Sequence, residues 1–457
     1  MTVITSQLQE QIENMLEEKD FYGLKTLLSS VDDGQELLHA INELSRKEKV
    51  IVFRLLQKDM ALEIFEQLET VLQKELLESF TDEKAREFIE ELDPDDRVTL
   101  LDEMPAKVAK RLMQLLSTED RKVTHMLMGY EPETAGRIMT PEFITLKRDM
   151  LVNEALLRIR KEAIDKETIY TLYVTDAKRK LEGVLPLRKL LLAESDAKIG
   201  DIMYDAVVKV ATDTDQEEVA KAIKDYDVLA IPVVDKEGRI VGIVTVDDAM
   251  DILEQEATDD IYTQAGLADI TGKETNRSEV LVRGSLWAIW KVRMPFLVLA
   301  LLGGLAAALV LEGFEDTLEY VLAAAFFIPV IMDMGGSVGT QSTTVFTRGV
   351  VLGQIEMKRF WKHLGKETLV GLSLGLIFGA VAGLIAGVWQ GMALGLAVGS
   401  ALAITVTLAS FLGFIIPFAL MKMKLDQAAG SAPIITTLKD ILGLLVYFLL
   451  VMAFVGI

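Results

Sequence analysis

The chain has 457 residues, a formal net charge of −22 and no cysteine, so disulfides, thiolate zinc sites and thiol catalysis are excluded. The acidity belongs to residues 1–281, which hold 60 acidic and 36 basic side chains, whereas residues 282–457 hold 9 and 11. An acidic half of this kind argues against a nucleic-acid partner, because phosphates require a basic surface.

Residues 1–130 are predicted to form an all-α domain, a helical superhelix. Segments such as LLQKDMALEIFEQL and ELLESFTDEKAREFIEEL place apolar residues at helical three–four spacing, and Asp93-Pro94 and Pro105 separate successive helices. Short helices in tandem are typical of such a fold. The chain begins without a basic segment followed by an apolar one, so we expect no cleaved signal and a cytosolic location for this domain.

Residues 131–260 are predicted to form a tandem α/β repeat, with copies at about 137–198 and 199–260. The first copy contains IYTLYVTD and LEGVLPLRKLL, and the second contains VLAIPVVDKEGRIVGIVTVDDAMDIL. The period is about 60 residues. PVVDKEGRIVGIVTVDD resembles a CBS domain, and this resemblance implies a pair of small-ligand sensors rather than an enzyme.

The same resemblance bears on nucleotide binding. CBS domains that bind adenine nucleotides often carry Ser/Thr-x-x-Asp after the second strand, and the second copy has Thr245 and Asp248 there. The first copy has Pro186 and Lys189 instead. The sequence therefore gives little support for ATP binding at the CBS pair.

Residues 261–290 are predicted to form a connecting helix, and residues 291–457 a transmembrane domain of five helices. Apolar stretches lie near 294–312, 320–347, 368–389, 392–421 and 432–456. Each is close to or above the roughly 20 residues that cross about 30 Å of hydrocarbon as a helix. Because the second stretch contains Gly335, Gly336 and Gly339, we expect a break or kink in it.

The basic residues predict the orientation of these spans. They lie before the first span (283–293), between the second and third (348–366) and between the fourth and fifth (422–424), whereas the loop at 312–319 is acidic. Because basic loops stay on the cytoplasmic side, we expect a multi-pass plasma-membrane protein with a cytoplasmic N-terminus and an external C-terminus.

Two acids within the spans are candidates for binding an ion. An ionisable side chain at the centre of a span costs about 2.5–3.5 kcal/mol on insertion scales, so Asp333 and Asp440 require a reason. Thr436 and Thr437 lie one turn before Asp440, and oxygen ligands of this kind suit hard cations. A carboxylate that is only hydrogen-bonded between helices is the alternative. Lys439 is expected to snorkel or to pair elsewhere.

A run of small and polar residues interrupts the second span. It contains Gly336, Ser337 and Gln341. Two compatible interpretations are close helix packing and a polar pathway for an ion.

Three acidic clusters mark the first half of the chain: 93–96, 213–218 and 247–260. Each one alone could be a solvated helix face. If the clusters face each other, however, their carboxylates repel until divalent cations bridge them, which is a physical basis for an ion sensor.

The order of acidic helical domain, CBS pair, connecting helix and five spans, together with YEPETAGRIMTPEF, GGSVGTQS and TTLKDILGLL, resembles the MgtE family of magnesium transporters. The resemblance implies a homodimer with a pore between two membrane domains, in which Asp440 binds the hydrated ion. It also implies that acids of the cytosolic domains bind Mg²⁺ and close the pore. The matching positions are Glu63, Asp95 with its neighbour Asp96, Asp215, Glu217, Asp227, Asp248, Asp251, Glu256, Asp259 and Asp260.

The chain departs from the family pattern at two positions. Ser337 replaces the Asn of a second-span GGN motif, and Thr99 replaces the last acid of a DDxAD motif. Ser337 leaves the pore motif without its Asn, which concerns ion selectivity. Thr99 is expected to weaken one regulatory site.

The sequence therefore predicts a magnesium-selective, magnesium-gated channel or transporter that imports Mg²⁺ down its electrochemical gradient. There is no GxxxxGK[ST] and no HExxH, so no enzyme is expected. Transport of other divalent cations such as Co²⁺ or Mn²⁺ is one alternative. A membrane-anchored ion or nucleotide sensor that transports nothing is another.

Overall fold

The computed structural model describes residues 2–31, 34–68, 70–267, 274–423 and 431–456. The chain divides into two compact units, Met1–Glu254 and Gln255–Ile457, each with its own core. The expected fold class is confirmed: a helical domain, two small α/β repeats, a connecting segment and five long apolar helices follow one another.

The first unit begins with ten short helices. Ser45, Gln57 and Thr81 precede the fourth, fifth and seventh of these helices in extended conformation. Thr81 and Ser117 accept hydrogen bonds from the backbone of Lys84 and Asp120 in the first turns of their helices. The helices are α1 (Thr2–Glu17), α2 (Phe21–Leu28), α3 (Gly34–Glu43), α4 (Arg46–Leu55), α5 (Lys58–Glu66), α6 (Thr70–Ser79), α7 (Asp82–Glu91), α8 (Pro94–Glu103), α9 (Ala106–Leu115) and α10 (Thr118–Met128).

Four aromatic rings tie successive helices of this domain together. Phe53, Phe65, Phe80 and Phe88 are buried, with ring centroids between 5.1 and 6.1 Å apart. Tilted and edge-to-face pairs at this separation add to the stability that the buried area supplies. The helical part thus has a continuous apolar core.

The tandem repeat follows as two three-stranded sheets, in the orders β1-β2-β3 and β4-β5-β6. In each sheet the first pair of strands is parallel and the second is antiparallel. The elements are α11 (Ala135–Ile138), β1 (Thr145–Lys147), α12 (Val152–Glu162), a 3₁₀ turn (Ala163–Asp165), β2 (Thr171–Thr175), β3 (Leu181–Pro186), α13 (Leu187–Leu191), α14 (Ile199–Ile202), β4 (Val210–Ala211), α15 (Gln216–Tyr226), β5 (Ala230–Val234), β6 (Ile240–Thr245) and α16 (Val246–Gln264).

The two sheets share the same irregularity. The register shifts after the pair Val174–Gly183 in the first sheet and after Val233–Gly242 in the second. Each glycine is tightly covered, because an added Cβ would lie 2.7 Å from a sulfur at Gly183 and 2.5 Å from one at Gly242. A buried cluster that draws on strands of both sheets joins the two copies. The predicted repeat of about 60 residues is thereby confirmed at the level of individual strand pairs.

The second unit contains the helices that could cross a membrane. Five stretches are long and apolar enough by length and composition: 286–312, 322–351, 357–390, 392–422 and 435–455. The elements are α17 (Glu274–Arg283), α18 (Leu286–Glu312), α19 (Glu315–Tyr320), a 3₁₀ helix (Leu322–Phe327), α20 (Ile328–Val351), a 3₁₀ turn (Met357–Arg359), α21 (Phe360–Gln390), α22 (Met392–Lys422) and α23 (Ser431–Val455).

Glycines bring α21 and α22 into close contact. A Cβ added at Gly375 would lie 2.6 Å from the carbonyl oxygen of Ala403, and one at Gly383 would lie 2.8 Å from that of Gly395. Small residues at four-residue spacing allow this approach of two backbones. Trp389, at the end of α21, stacks on Phe326 of the 3₁₀ helix.

The predicted interruption of the second span lies earlier than the glycines that suggested it. The 3₁₀ helix Leu322–Phe327 precedes α20, and α20 then continues through Gly335 and Gly339 without a break. The glycines serve helix packing instead. An added Cβ would lie 3.1 Å from Thr405 at Gly335 and 3.8 Å from Ala409 at Gly339.

Candidate functional site

A polar stripe runs along one face of α20. Asp333, Ser337, Thr340 and Thr344 recur at three- and four-residue spacing and are all exposed, as is Gln341 beside them. This face lies within a membrane span, where exposed polar groups are costly unless they meet water or another protein surface. The stripe therefore requires a water-filled path or a second protein surface.

Asp440 lies on α23 beside a buried lysine. The Lys439 side chain is only 6 % exposed, and its ammonium nitrogen is 3.0 Å from Oδ1 of Asp440. It donates a hydrogen bond of 2.8 Å to the carbonyl oxygen of Met332 in α20. Oδ1 of Asp440 is buried and has no aligned hydrogen bond, so the contact with the lysine is an ion pair without that directional support. The expectation that Lys439 snorkels or pairs elsewhere is wrong.

The two threonines before Asp440 point to different neighbours. Thr436, one turn before Asp440, is exposed. Thr437 packs against α18, where an added Cβ at Gly303 would lie 2.7 Å from its methyl group. Thr436 is thus the residue that shares a face with Asp440.

A small cavity of about 30 Å³, lined by apolar surface with a few polar groups, lies between α20, α23 and the end of α16. A volume of this size holds one or two water molecules and no hydrated divalent ion. At its edge, Nε2 of Gln264 donates a hydrogen bond of 3.1 Å to the Thr347 hydroxyl. The lining residues are Gln264, Gly336, Thr340, Thr343, Thr344, Ile435, Thr436 and Lys439.

In the first unit, acids from three segments come together. Asp95, at the start of α8, is 6 % exposed, and its Oδ1 is buried without a hydrogen-bond partner. Glu167, in the first CBS copy, also has a buried and unpartnered oxygen. Asp248, at the start of α16, accepts a 2.5 Å hydrogen bond from the Thr245 hydroxyl. The cluster at 93–96 therefore meets the first residues, 247–251, of the cluster at 247–260, and Glu167 joins them.

The pKa values of these acids reflect burial first and like charge second. Burial, reinforced by Asp93 and Asp248, raises the pKa of Glu167 to about 8. Burial likewise raises the pKa of Asp248 to about 6, although the bond from Thr245 opposes the shift. The pKa of Asp95 lies well above its usual value for the same reason, with Asp248 and Asp96 adding to the effect. Carboxylates held in this way favour either a proton or a cation among them.

Three further predicted regulatory acids, Asp215, Glu217 and Asp227, lie at the two ends of α15. Asp215 precedes the helix and accepts a hydrogen bond of 2.9 Å from the backbone nitrogen of Glu217. Asp227 ends the helix in left-handed conformation with φ of 52°. Local backbone roles account for the positions of Asp215 and Asp227.

Glu256, Asp259 and Asp260 lie on α16, in the part of this helix that belongs to the second unit. Asp259 forms an ion pair with the buried Arg277, which also donates to the Thr263 hydroxyl at 3.2 Å. Glu256 and Asp260 lie on the same helix, and both take part in interactions. The side chain of Glu63 lies outside the described residues. Within the described part of the chain, no three His, Asp or Glu side chains are arranged to enclose a metal ion.

Sequence reasoning missed three residues at these sites. Glu167 stands alone in its segment and gave no signal. Arg277 lies in a polar stretch where its burial could not be foreseen. Lys439 had a signal, because a lysine next to an aspartate within a span is itself an unusual pair.

Comparisons with known proteins cover almost the whole chain. Residues 33–133 match the MgtE intracellular N domain, 135–196 and 199–255 match CBS domains, and 328–450 match the MgtE divalent cation transporter family.

The magnesium transporter MgtE of Thermus thermophilus is 38 % identical over 444 residues, which are 96 % of this chain and 97 % of the relative. The magnesium transporter MgtE of Bacillus subtilis is 33 % identical over 435 residues, or 94 % of each chain. Among solved structures, the cytosolic domain of the Mg²⁺ channel MgtE in complex with ATP is 41 % identical, covers 53 % of this chain and 99 % of its own, and has a TM-score of 0.49.

Proposed function

The chain belongs to the MgtE family of magnesium transporters, and on this premise we propose how it conducts Mg²⁺ and how conduction stops. It is a membrane protein, and its function is magnesium transport. We propose that the ion moves down its electrochemical gradient and that the protein catalyses no reaction. We further propose that the N-terminus is cytoplasmic and the C-terminus external, in the plasma membrane.

The observation that carries the proposal is the exposed polar stripe of Asp333, Ser337, Thr340 and Thr344 on α20. In a single copy the Asp333 and Ser337 side chains would face lipid, which has no groups to satisfy them, whereas the Thr344 hydroxyl donates to the Thr340 carbonyl oxygen within the helix. A second copy related by two-fold symmetry would place two such stripes opposite each other. We propose that the protein is a homodimer and that the space between the stripes is the ion pathway.

Asp440 is the proposed ion-binding acid of this pathway. Its carboxylate is partly exposed beside Thr436. Mg²⁺ loses its water reluctantly and is usually held through one or two carboxylates with several waters kept. Two Asp440 side chains in a dimer therefore suit a hydrated Mg²⁺. Gly336, Ser337, Gln341, Asp333 and the backbone at Thr437 would complete the polar lining.

The cytosolic acids form the proposed sensor. Asp95 and Asp248 approach each other from the helical domain and the second CBS copy, and burial together with the nearby carboxylates raises the pKa of both when no cation is present. Mg²⁺ bound between them would remove this repulsion and hold the domains together. Asp96, Asp251 and Glu167 would strengthen the same site, and closed domains would keep the pore shut.

The remaining family positions are proposed as secondary cation contacts: Glu63, Asp215, Glu217, Asp227, Glu256, Asp259 and Asp260. The proposed domain boundaries are 1–130, 131–260, 261–290 and 291–457.

For nucleotide binding, we propose that the first CBS copy does not bind ATP. In the second copy the Thr245 hydroxyl already donates to Asp248, so nucleotide would have to compete for it. Calorimetric titration of ATP into the purified protein tests this point.

Transport of other divalent ions is the second candidate function, since oxygen ligands and the absence of cysteine do not rank Mg²⁺ against Mn²⁺ or Co²⁺. Competition among these ions for uptake decides between them. A sensor without transport is disfavoured, because an anchor has no use for Asp333 and Asp440 within spans.

The test is Mg²⁺ flux into liposomes that hold the purified protein and an internal dye, with Mg²⁺ varied on the cytosolic side. We expect flux that falls as cytosolic-side Mg²⁺ rises. Asp440→Asn should remove most of the flux, whereas Glu315→Gln, at the exposed first residue of α19, should leave it intact. Normal flux through Asp440→Asn would refute the pore assignment.

The same preparation tests the sensor. Asp248→Asn with Asp251→Asn should raise the half-inhibiting Mg²⁺ about tenfold, within the usual range of coupling between two sites. Asp196→Asn with Asp225→Asn removes the same charge from exposed positions and serves as the control. Unchanged inhibition in the first pair would refute the proposed sensor site.

A further inference from the structure

Lys439 is a buried cation inside the membrane unit. The residue is 5 % exposed, and its ammonium group contacts two groups, the Met332 carbonyl at 2.8 Å and the Asp440 carboxylate at 3.0 Å. A lysine in a span is as costly as an aspartate, so packing alone does not explain it. A neutral side chain could fill the same space without that cost.

We propose that Lys439 is the resident counter-ion of Asp440, which an arriving Mg²⁺ must displace from the carboxylate. The inference rests on the proposed role of Asp440 as the ion-binding acid. In the empty pathway the lysine neutralises the carboxylate. When the ion binds, the ammonium shifts away and keeps its bond to the Met332 carbonyl.

Space for the lysine is provided by Gly336. A Cβ at this position would lie 2.7 Å from the Lys439 nitrogen, so any larger residue would push the ammonium out of its place. Gly336, Lys439 and Thr436 line the same small cavity between α20 and α23. The lysine therefore lies at the ion pathway proposed above and within reach of a group that the ion needs.

The form of the ion pair supports displacement. Asp440 Oδ1 lies within 3.0 Å of the ammonium yet has no aligned hydrogen bond. A pair held by charge without that alignment is more easily exchanged for another cation. Because Lys439 competes with Mg²⁺ for the Asp440 carboxylate, it weakens Mg²⁺ binding. Weaker binding suits conduction, since an ion site in a channel must also release its ion.

The charge count at the pathway gives the functional consequence. Two copies of Asp440 alone would place two negative charges at the axis, whereas two Lys439–Asp440 pairs sum to zero. A neutral site holds monovalent cations weakly, and a divalent ion displaces the lysines best because it gains twice the attraction. Lys439 thus lowers the affinity for Mg²⁺ and raises the preference for divalent over monovalent ions.

The experiment compares Lys439→Gln with Lys439→Arg in the liposome flux assay. We expect Lys439→Gln to lower the half-saturating Mg²⁺ about tenfold, which corresponds to about 1.4 kcal/mol, and to reduce the maximal flux. Lys439→Arg keeps the charge and should restore the half-saturating concentration toward that of the original protein. An unchanged half-saturating concentration in Lys439→Gln would overturn the proposal.

A thermal-unfolding measurement gives a readout independent of flux. Lys439→Gln leaves a partly buried carboxylate without its counter-ion, so the protein should be less stable in chelator and should gain more from added Mg²⁺. The double variant Lys439→Gln with Asp440→Asn should lose this extra Mg²⁺ stabilisation. A lysine with a packing role alone would lower stability equally with and without Mg²⁺, and that result would also overturn the proposal.

If Lys439→Gln does not fold, Gly336→Ala tests the counter-ion role of Lys439 instead. The added methyl displaces the ammonium while the lysine remains, so the half-saturating Mg²⁺ should again fall, and no fall would count against the proposal. The flux through Asp440→Asn distinguishes failure of the proposed pore role of Asp440 from failure of the proposed counter-ion role of Lys439. Full flux in that variant refutes the pore assignment itself. Lost flux with unchanged Lys439→Gln and Gly336→Ala behaviour refutes only the counter-ion role.

Discussion

The Glu167 carboxyl group binds a proton more tightly in the folded protein than in the unfolded chain. Its pKa rises from 4.5 to about 8 on folding, and those of Asp95 and Asp248 rise as well. Between these values the folded state retains protons that the unfolded chain has lost. Stability must therefore fall as pH rises through this window.

We expect the chelated protein to melt at lower temperature at pH 8 than at pH 5.5, by a few degrees, since each kcal/mol shifts the melting temperature of a 150–250-residue domain by about 2–4 °C. Thermal unfolding in chelator across this pH range measures it. Glu167→Gln removes one of these titrating groups and should make the profile less steep between pH 5.5 and 8. A melting temperature that rises with pH in the original protein would contradict the cluster.

Single residues show where sequence reasoning reaches its limit. Asp440 could be identified because hydropathy makes an acid in a span conspicuous. The partner of Lys439 could not, since it depends on which face of α23 meets Met332. Glu167 depends on a meeting of three segments far apart in the chain, and one sequence contains no record of that contact.

At the scale of elements, the approach of α21 to α22 depends on residues without side chains. We expect Gly375→Ala to destabilise the membrane unit by about 1–3 kcal/mol, because the new methyl would meet the Ala403 carbonyl oxygen at 2.6 Å. Gly365→Ala is the matched control, since an added Cβ there meets nothing within 4 Å. Alanine at that position should be neutral or slightly stabilising in a helix.

Thermal unfolding in detergent compares the two variants. Equal melting temperatures for Gly375→Ala and Gly365→Ala would mean that the helices separate more easily than their packing indicates. The sequence predicted the helices themselves from hydropathy, but for the glycines of the second span it offered both a break and close helix packing. Glycine permits both close packing and chain breaks, and only the neighbouring helix decides between them.

For the whole molecule, the expected second copy can be trapped chemically. The chain has no cysteine, so a single engineered one is unique. Ser337→Cys, on the exposed face of α20, should form a disulfide-linked dimer on mild oxidation in membranes, because symmetry brings each residue close to its own copy near the axis. Leu376→Cys, at an exposed position of α21, is the control and should remain monomeric.

Non-reducing electrophoresis reads the result. Equal cross-linking at both positions would indicate random collision, and none at Ser337 would place the stripe elsewhere. At this scale the domain order was predictable, because composition changes sharply between an acidic first half and an apolar second half. How two copies meet was not predictable from periodicity, since an outward-facing polar stripe becomes visible only once helix contacts are known.

Trp389, whose ring stacks on Phe326, is one of four tryptophans that are unevenly distributed along the chain. All four tryptophans of the chain, at positions 287, 290, 361 and 389, lie in the membrane unit, and residues 1–254 have none. Tryptophan fluorescence therefore reports on the helices of the second unit, and the first unit, with its acidic cluster, contributes no tryptophan emission. If adding Mg²⁺ to those acids changes the emission, the signal has travelled through the protein to the membrane, and the native chain needs no label to reveal it.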